Sequence, residues 1–211
     1  KFVIQGNEKV IYPRLSDAEF FYAQDKKKSL QEMSLDLKNI IYHQKLGSIE
    51  QRCEKVSLVF NHLIKHTSLN SDADSKKLAL FAKADLSSLM VGEFPELQGV
   101  MGKYYGLEEK LSSEFCQAIE DHYKPKFSGD ELPQGDTSIL LALSDKWISL
   151  FDLFSIGEKP SGVKDPYALR RSAISIIRIL IDKNIDLNIR QLIDTFFPED
   201  KKDHKLSLFN F

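Results

Sequence analysis

One stretch decides the fold predicted for this chain: Lys83-Ala84-Asp85-Leu86-Ser87-Ser88-Leu89-Met90-Val91-Gly92-Glu93-Phe94-Pro95-Glu96-Leu97-Gln98-Gly99. Its first half continues a helical repeat, one face of which carries Leu78, Ala82, Asp85 and Leu89. Its second half contains glycine and proline, which predict a turn between two helices. Because Asp85 falls on an apolar face, and burying a lone carboxylate is costly, we expect this side chain to have a partner.

Helical periodicity extends over most of the chain. Apolar residues recur at intervals of three and four from residue 49 to residue 63, and Ser48 before them is a suitable N-cap. Further helices are predicted over residues 14–27, 30–43, 108–123, 137–154 and 189–197. The pattern predicts an all-α helical bundle.

The pair Asp165-Pro166 predicts the start of another helix, because aspartate suits the N-cap and proline suits the first helical position. The apolar residues that follow are expected to form its buried face: Ala173, Ile174, Ile177 and Ile181. Before the first helix, residues 1–13 are expected to be an extended lead-in from a preceding domain. Residues 14–184 are predicted to form the main helical domain, and 185–211 a helical extension or the start of a linker.

Composition limits the possible functions. The net charge is −2, and residues 66–136 carry 13 acidic against 7 basic side chains, so the chain lacks the strongly basic character of an autonomous nucleic-acid binder. No apolar run is long enough to span a membrane. Cys53 and Cys116 are far apart and form no metal-binding pair, which favours a cytoplasmic protein with free thiols. The first residue is not Met, and we expect a fragment of a longer protein.

Several residues are candidates for metal or acid–base chemistry. Asp85 is either a functional acid or a structural one paired with a cation or a helix end. His62 and His66 are four residues apart on a helix and could hold zinc with a third ligand, although a solvated helix end explains both. Glu93 and Glu96 could bind Mg²⁺, or they could favour the positive end of the next helix.

Several blocks taken together resemble the β subunit of the bacterial heterotetrameric glycyl-tRNA synthetase. They occur in the family's order and reach to about residue 180. The blocks are Gly6-Asn7-Glu8-Lys9-Val10, Pro13-Arg14-Leu15-Ser16-Asp17-Ala18-Glu19-Phe20-Phe21, Lys45-Leu46-Gly47-Ser48, Lys83-Ala84-Asp85-Leu86, residues 90–102, residues 123–130, and Lys164-Asp165-Pro166-Tyr167-Ala168-Leu169-Arg170-Arg171. The resemblance covers a central part of that subunit, which is similar to an HD domain, a helical fold named for a His-Asp metal pair.

The HD resemblance implies a degenerate metal site. The early histidine position falls on Arg52, the His-Asp pair reads Ala84-Asp85, and the final aspartate matches Asp145. Without both histidines, two lone carboxylates cannot hold a bridged metal pair. We therefore expect no bound metal and no catalytic residue here, and we expect Arg52 and Asp85 to form an ion pair.

The family resemblance also implies a wider function. It implies ATP-dependent attachment of glycine to tRNA-Gly, with ATP and Mg²⁺ used by the α subunit of an α2β2 tetramer and no cofactor in this fragment. The expected role of this fragment is tRNA binding and subunit assembly, and the fragment alone is expected to be inactive. The basic residues in or beside the matching blocks are candidates for phosphate contact: Arg14, Lys45, Lys103, Arg170 and Arg171.

Two alternatives stay open at this stage. The chain could be an active metal-dependent HD phosphohydrolase, which would require His43, His62, His66 or His122 to converge on Asp85. It could also be a purely structural subunit-assembly module without RNA contact, which the acidity of residues 66–136 favours.

Overall fold

The computed structural model describes residues 2–211 and consists almost entirely of helices. Eleven α-helices lie within the described residues: α1 (Phe2–Asp25), α2 (Leu30–Leu35), α3 (Ile49–His66), α4 (Ser75–Ala84), α5 (Leu89–Glu93), α6 (Val100–Glu108), α7 (Ser113–Asp121), α8 (Asp136–Ser155), α9 (Leu169–Asp182), α10 (Ile189–Phe196) and α11 (Lys202–Phe209). Short 3-10 turns cover Asp36–Asn39, Asp85–Ser87 and Pro95–Leu97. Two short antiparallel strands, β1 (Ile41–His43) and β2 (Gly47–Ser48), form a hairpin before α3. The all-α prediction is confirmed.

Helix α8 lies at the centre of the bundle and packs against α3, α7, α9 and α11. Most of its residues are buried, including Leu140, Leu143 and Trp147, because an apolar sequence this dense leaves no hydrophilic face for solvent. Polar residues in its middle are therefore buried as well, and each one needs a partner inside the protein. No helix within residues 2–211 is both long and apolar enough to cross a membrane.

Side chains at the helix ends fix where several helices begin. Ser48 accepts a hydrogen bond from the backbone N–H of Gln51, and the Gln51 side chain accepts one from Ser48 N–H, which gives α3 a capping box as the sequence predicts. The buried Asp25, at the end of α1, accepts hydrogen bonds from the N–H groups of Leu89 and Met90 at 2.8 and 2.9 Å. This contact fixes the start of α5 against the end of α1.

The extended lead-in predicted for residues 1–13 is wrong for the residues that the structure describes, because α1 is helical from Phe2 onward. Lys1 lies outside the described residues. An extended segment needs another strand to pair with its backbone N–H and C=O groups, whereas a helix satisfies them within one segment. Pro13 lies inside α1, and Val10 and Leu15 on either side of it are exposed. The boundary proposed near residue 184 stays a prediction.

Helix α9 differs from its prediction in both start and orientation. It begins at Leu169, four residues after Asp165, although Asp165 does cap it by accepting from the N–H groups of Leu169 and Arg170. Its buried face carries Leu169, Ser175, Ile176 and Ile179. Ile174, Ile177 and Ile181, which were expected to be buried, are 58%, 51% and 75% exposed. Isoleucines occur on both sides of α9, so periodicity alone did not distinguish the two faces.

Residues 185–211 pack on the central helix. Helix α11 contacts α8, and the Phe151 ring lies 6.4 Å from the rings of both Phe196 and Phe197. Leu192, Ile193 and Leu208 belong to the same core as α8. These residues therefore form a helical extension packed on the bundle.

A pair of substitutions in α9 tests which of its faces is buried. Ile179→Ala should lower the free energy of unfolding by about 2–4 kcal/mol, because Ile179 is fully buried and its truncation leaves a cavity. Ile177→Ala should change it by no more than about 0.5 kcal/mol, because that side chain is half exposed. Urea unfolding of both variants measures the difference, and equal losses would contradict this orientation of α9.

A buried charged cluster as the candidate functional site

The cluster centres on Asp145, in the middle of α8. Arg52 on α3 donates through Nη2 to Asp145 Oδ1 at 3.0 Å, to the Asp145 carbonyl at 2.8 Å and to Ser149 Oγ at 2.9 Å. The Arg52 guanidinium also lies 4.6 Å from the Tyr42 ring centre and is nearly inaccessible to solvent. Burial alone would raise the pKa of Asp145, but the cations of Arg52 and Lys83 hold it well below its ordinary value.

A second cation, Lys83 at the end of α4, reaches the same carboxylate. Its Nζ lies 3.3 Å from Asp145 Oδ1 and 2.8 Å from His122 Nε2, and 4.1 Å from the Tyr123 ring centre. Burial lowers the pKa of the Lys83 ammonium, while Asp145 opposes that effect. The ammonium group joins α4, α8 and the end of α7 at one point.

His122 is fully buried, and its ring lies between one hydrogen-bond donor, the Lys83 ammonium, and one acceptor, the Ile119 carbonyl. Burial, reinforced by the Lys83 cation, holds the pKa of His122 well below its ordinary value, so the imidazole is neutral at pH 7. Lys83 can only donate, so Nε2 accepts a hydrogen bond from its ammonium group, and Nδ1 then donates to the Ile119 carbonyl at 2.7 Å. The ring is therefore a single neutral tautomer fixed by its two partners.

Asp85 caps a helix. Its Oδ2 accepts from the backbone N–H of Gly99 at 2.6 Å and of Gly102 at 3.0 Å, at the start of α6. Burial raises the pKa of Asp85 to about 6, although these two hydrogen bonds oppose the rise. Both glycines are needed for the close approach, because a Cβ at Gly99 would lie 2.7 Å from the Tyr123 ring and one at Gly102 would lie 2.7 Å from Ile119.

The predicted ion pair between Arg52 and Asp85 is therefore wrong. Arg52 pairs with Asp145, and Asp85 takes backbone donors instead. The prediction failed because it assigned partners by helix face, whereas the turn after Asp85 brings a helix N-terminus to the carboxylate. Ala84 is fully buried between Lys83 and Asp85, where its side chain contributes packing and its carbonyl accepts from Ser87 Oγ at 2.9 Å.

Within residues 2–211, no group of three or more His, Cys, Asp and Glu side chains is arranged to hold a metal ion. His62 and His66 stack on each other with ring centres 4.1 Å apart. His43 lies in the hairpin, and His204 Nδ1 donates to the Ser155 carbonyl at 3.0 Å. Of the five histidines, only His122 lies in the cluster, and there it contacts an ammonium group.

A cavity of about 590 Å³ opens beside the cluster. It lies between α8, α9 and the segments before α6 and after α7, and Asp145, Lys146, Ser149 and Arg171 are among its lining residues. Lys146 is buried, and its ammonium donates to the His122 carbonyl at 3.2 Å. Burial lowers the pKa of Lys146 to about 8, against the opposing effect of Asp145.

Two of the five basic residues proposed for RNA contact lie at or near this cavity. Arg171 lines it and is exposed, and its Nη1 donates to a loop carbonyl at 3.2 Å. Lys45 is exposed in the hairpin, two residues from His43, whose ring lies 6.2 Å from the ring of the cavity residue Tyr167.

The other three candidates differ in how available they are. Arg14 is exposed on α1 and its guanidinium lies 5.3 Å from the Phe94 ring centre, next to the start of the cavity wall at Pro95. Arg170 is half-buried at the start of α9. Lys103 is half-buried and bound to Glu120 at 2.6 Å, which leaves it less free for a phosphate.

Sequence reasoning missed four residues of the cluster: Lys83, Lys146 and Tyr123 altogether, and His122 except as a possible metal ligand. A signal for Lys146 was present, because a helix that is apolar on nearly every side buries the polar residues in its middle. Asp145 was indicated only through the HD resemblance. No sequence signal indicated that Lys83 and His122 would meet, since 39 residues separate them.

A family model described as "Glycyl-tRNA synthetase beta subunit" matches residues 1–211. The "Glycine--tRNA ligase beta subunit" of Methylobacillus flagellatus is 49% identical over 91% of this chain and 27% of its own length. The proteins of that name from Janthinobacterium sp. (strain Marseille) and Leptothrix cholodnii are 45% and 43% identical over 99% of this chain, and over 30% and 32% of their own lengths. The chain thus spans about a third or less of these relatives.

These similarities define the class as subunits of aminoacyl-tRNA synthetases. The chain belongs to the glycyl-tRNA synthetase beta subunit family. The resemblance that the sequence blocks indicated is confirmed. The HD-domain likeness stays a prediction.

Removing the charge of Asp145 should destabilise the fold. Asp145→Asn should lower the free energy of unfolding by about 3 kcal/mol, because it leaves Arg52 and Lys83 buried without their counter-ion. Asp182→Asn, at an exposed aspartate of α9, should change it by no more than about 0.5 kcal/mol. Urea unfolding measures both, and a loss under 1 kcal/mol for Asp145→Asn would refute the central role of this carboxylate.

His122 should make stability depend on pH. Its folded-state pKa lies below its unfolded value, so the unfolded chain takes up a proton first and stability falls as pH drops below about 6.5. The slope from this group is at most about 1.4 kcal/mol per pH unit. Unfolding should be measured at pH 5, 6 and 7 for the parent and for His122→Asn, since the opposing contribution of Asp85 is common to both. Parallel stability curves would contradict this assignment.

Proposed function

We propose that this chain is the part of a bacterial glycine–tRNA ligase β subunit that holds tRNA and takes no part in the chemical steps. The observation that carries the proposal is the family match over the whole chain, together with a basic cavity margin on the folded domain. Arg171 lines the cavity and is exposed, Lys45 is exposed in the hairpin, and Arg14 lies over the ring of Phe94, next to the wall residue Pro95. Phosphate contacts of this kind position RNA without reading its sequence.

The whole enzyme is proposed to attach glycine to tRNA-Gly at the expense of ATP. In this proposal ATP and Mg²⁺ are used by the α subunit, the subunits form an α2β2 tetramer, and the described part of the β subunit needs no cofactor. The relatives' printed name, a β subunit of glycine–tRNA ligase, supports a partner subunit and a tRNA substrate. We also propose a cytoplasmic location, in keeping with two buried free thiols and a role in translation.

The buried cluster supports a structural role for the degenerate HD-like site. In the proposed relation to HD enzymes, Arg52, Ala84, Asp85 and Asp145 stand where metal ligands would be. Asp145 is neutralised by two protein cations, Arg52 and Lys83. Since Lys83 Nζ lies within hydrogen-bonding distance of His122, the imidazole nitrogen that a metal would require is occupied by an ammonium donor. These contacts argue against the hypothesis that the chain is an active metal-dependent HD phosphohydrolase.

A specific observation favours a second candidate, a subunit-assembly module without RNA contact. Ile174, Ile177 and Ile181 form an exposed apolar row along α9. Exposed apolar residues at helical spacing are typical of surfaces that contact other protein segments. This role is compatible with tRNA contact by the same chain, and the experiment below distinguishes the two.

Charge reversal at the start of α9 tests tRNA contact. In the assembled synthetase, Arg170→Glu with Arg171→Glu in the β subunit should weaken tRNA-Gly binding about tenfold or more. The slope of log affinity against log salt should become shallower by about 2 if both residues contact phosphates. Glycyl-adenylate formation, measured by ATP–pyrophosphate exchange without tRNA, should be unchanged.

A matched control is Lys76→Glu with Lys77→Glu, an adjacent pair of exposed lysines at the start of α4. This double variant should leave both the tRNA affinity and its salt slope unchanged. If the α9 variant binds tRNA as tightly as this control while the tetramer stays assembled, the assembly role stands and tRNA contact at α9 does not.

A further inference from the structure

Cationic groups are in excess around the cavity beside the buried cluster. Lys126, Lys146 and Arg171 line it. Two carboxylates, Asp145 and Glu96, line it as well. Asp145 is already bound by cations behind the cavity wall, so it does not neutralise the lining groups.

The strongest donor in the wall is Lys146, whose side chain is more than nine-tenths buried. Its ammonium group makes one hydrogen bond to the described residues, to the carbonyl of His122, although it can donate three. A buried cation with so few partners is costly, as its lowered pKa reflects. An anion in the cavity would offset that cost.

Arg171 supplies a second donor from the opposite side. It is exposed at the cavity margin. Its guanidinium carries five N–H groups and donates one hydrogen bond, to the Lys126 carbonyl at 3.2 Å. A planar guanidinium fits two oxygens of a phosphate. Ser149, Ser172 and Ser175 also line the cavity, but the hydroxyls of Ser149 and Ser172 already donate to the carbonyls of Asp145 and Ala168, so the cations remain the main donors.

We propose that this cavity binds the phosphate group of a nucleotide, with Lys146 and Arg171 as its charged contacts. The cavity volume of about 590 Å³ lies in the range of small-molecule sites and suits one nucleotide. Tyr167, which lines the same cavity, offers an aromatic face for a base. The same chemistry is presented by a free mononucleotide and by one nucleotide of a single-stranded RNA end.

Nearby acids limit which anions fit. Glu96 is exposed at the cavity edge, and Asp130 lies close enough to Lys146 to favour its charged form. The Asp130 carboxylate is itself bound by the backbone N–H of Lys126 at 2.6 Å. Inside the cavity these acids would repel a second phosphate group, so a single phosphate near Lys146 and Arg171 is favoured there, while the proposed tRNA contact lies on the surface outside the cavity.

Calorimetric titration of the chain with 5′-AMP, adenosine and a single-stranded ribotrinucleotide tests the proposal. Saturable one-site binding of 5′-AMP is expected, with adenosine at least tenfold weaker because it lacks the phosphate. A trinucleotide that binds more tightly than 5′-AMP identifies an RNA end as the source of the phosphate, and the reverse order identifies a free nucleotide. Absence of saturable binding by both phosphate-containing probes would overturn the proposal.

Variants assign the contacts. Lys146→Met should weaken 5′-AMP binding at least tenfold, and Arg171→Gln about fivefold. Lys65→Gln, at an exposed lysine at the end of α3, should leave it unchanged. Because Lys146 is buried and its variant could fold poorly, Arg171→Gln at the surface provides an independent test. Equal affinity in Arg171→Gln and Lys65→Gln would refute the proposed site.

The proposal goes beyond tRNA contact by the domain surface and can fail separately from it. Titration with 5′-AMP measures the cavity alone, whereas tRNA affinity of the assembled synthetase measures the surface. If the Arg170 and Arg171 charge reversals weaken tRNA binding while the parent chain shows no 5′-AMP binding, the function stands and the nucleotide site does not. If the parent chain binds 5′-AMP while the charge reversals leave the tRNA affinity unchanged, the nucleotide site stands and tRNA contact at α9 does not.

Discussion

The carboxylate of Asp145 is the constraint on which the arrangement of the bundle depends. It lies in the middle of α8, which packs against α3, α7, α9 and α11, and only 14% of its side chain is exposed. A buried carboxylate is stable only when its charge is compensated. Arg52 from α3 and Lys83 from α4 supply that compensation, so three helices far apart in the chain are joined at one point. Packing of apolar side chains favours many similar bundles, whereas this contact selects one alignment of α3, α4 and α8.

Other buried acids serve as helix caps. Asp25 receives the first N–H groups of α5, and Asp85 receives those of Gly99 and Gly102 at the start of α6. The stretch from Lys83 to Gly99 is unusual in sequence because it must form a helix end, a cation site, a short helix and a capped turn in succession. The two glycines allow Tyr123 and Ile119 to approach the turn closely. The acid that first suggested catalysis is used to connect helices.

The charges of the cluster also explain the character of the surface beside it. Protein cations occupy the neighbourhood of Asp145, and Lys146 lines the cavity with one hydrogen bond to the described residues. The local balance is therefore cationic even though the net charge of the chain is −2. A site of this kind favours anions over metal ions. The same excess of positive charge supports both the proposed tRNA contact and the proposed nucleotide cavity. The two share Arg171, but the cavity also requires the buried Lys146, whereas the tRNA contact lies on the surface.

The sequence by itself determined the helical class, the position of α3 with its Ser48 cap, and the family, because each depends on local pattern or on contiguous blocks. Tertiary structure alone decided that Arg52 pairs with Asp145, that Lys83 meets His122, and which side of α9 is buried. Local pattern could not orient α9, since isoleucines lie on both its faces, and it predicted an extended lead-in over residues 1–13, where the structure is helical from Phe2 onward. The physical reason is that periodicity reports which residues can be buried together on one element. The partner of a buried charge depends on the approach of other elements, which only packing of the whole chain determines.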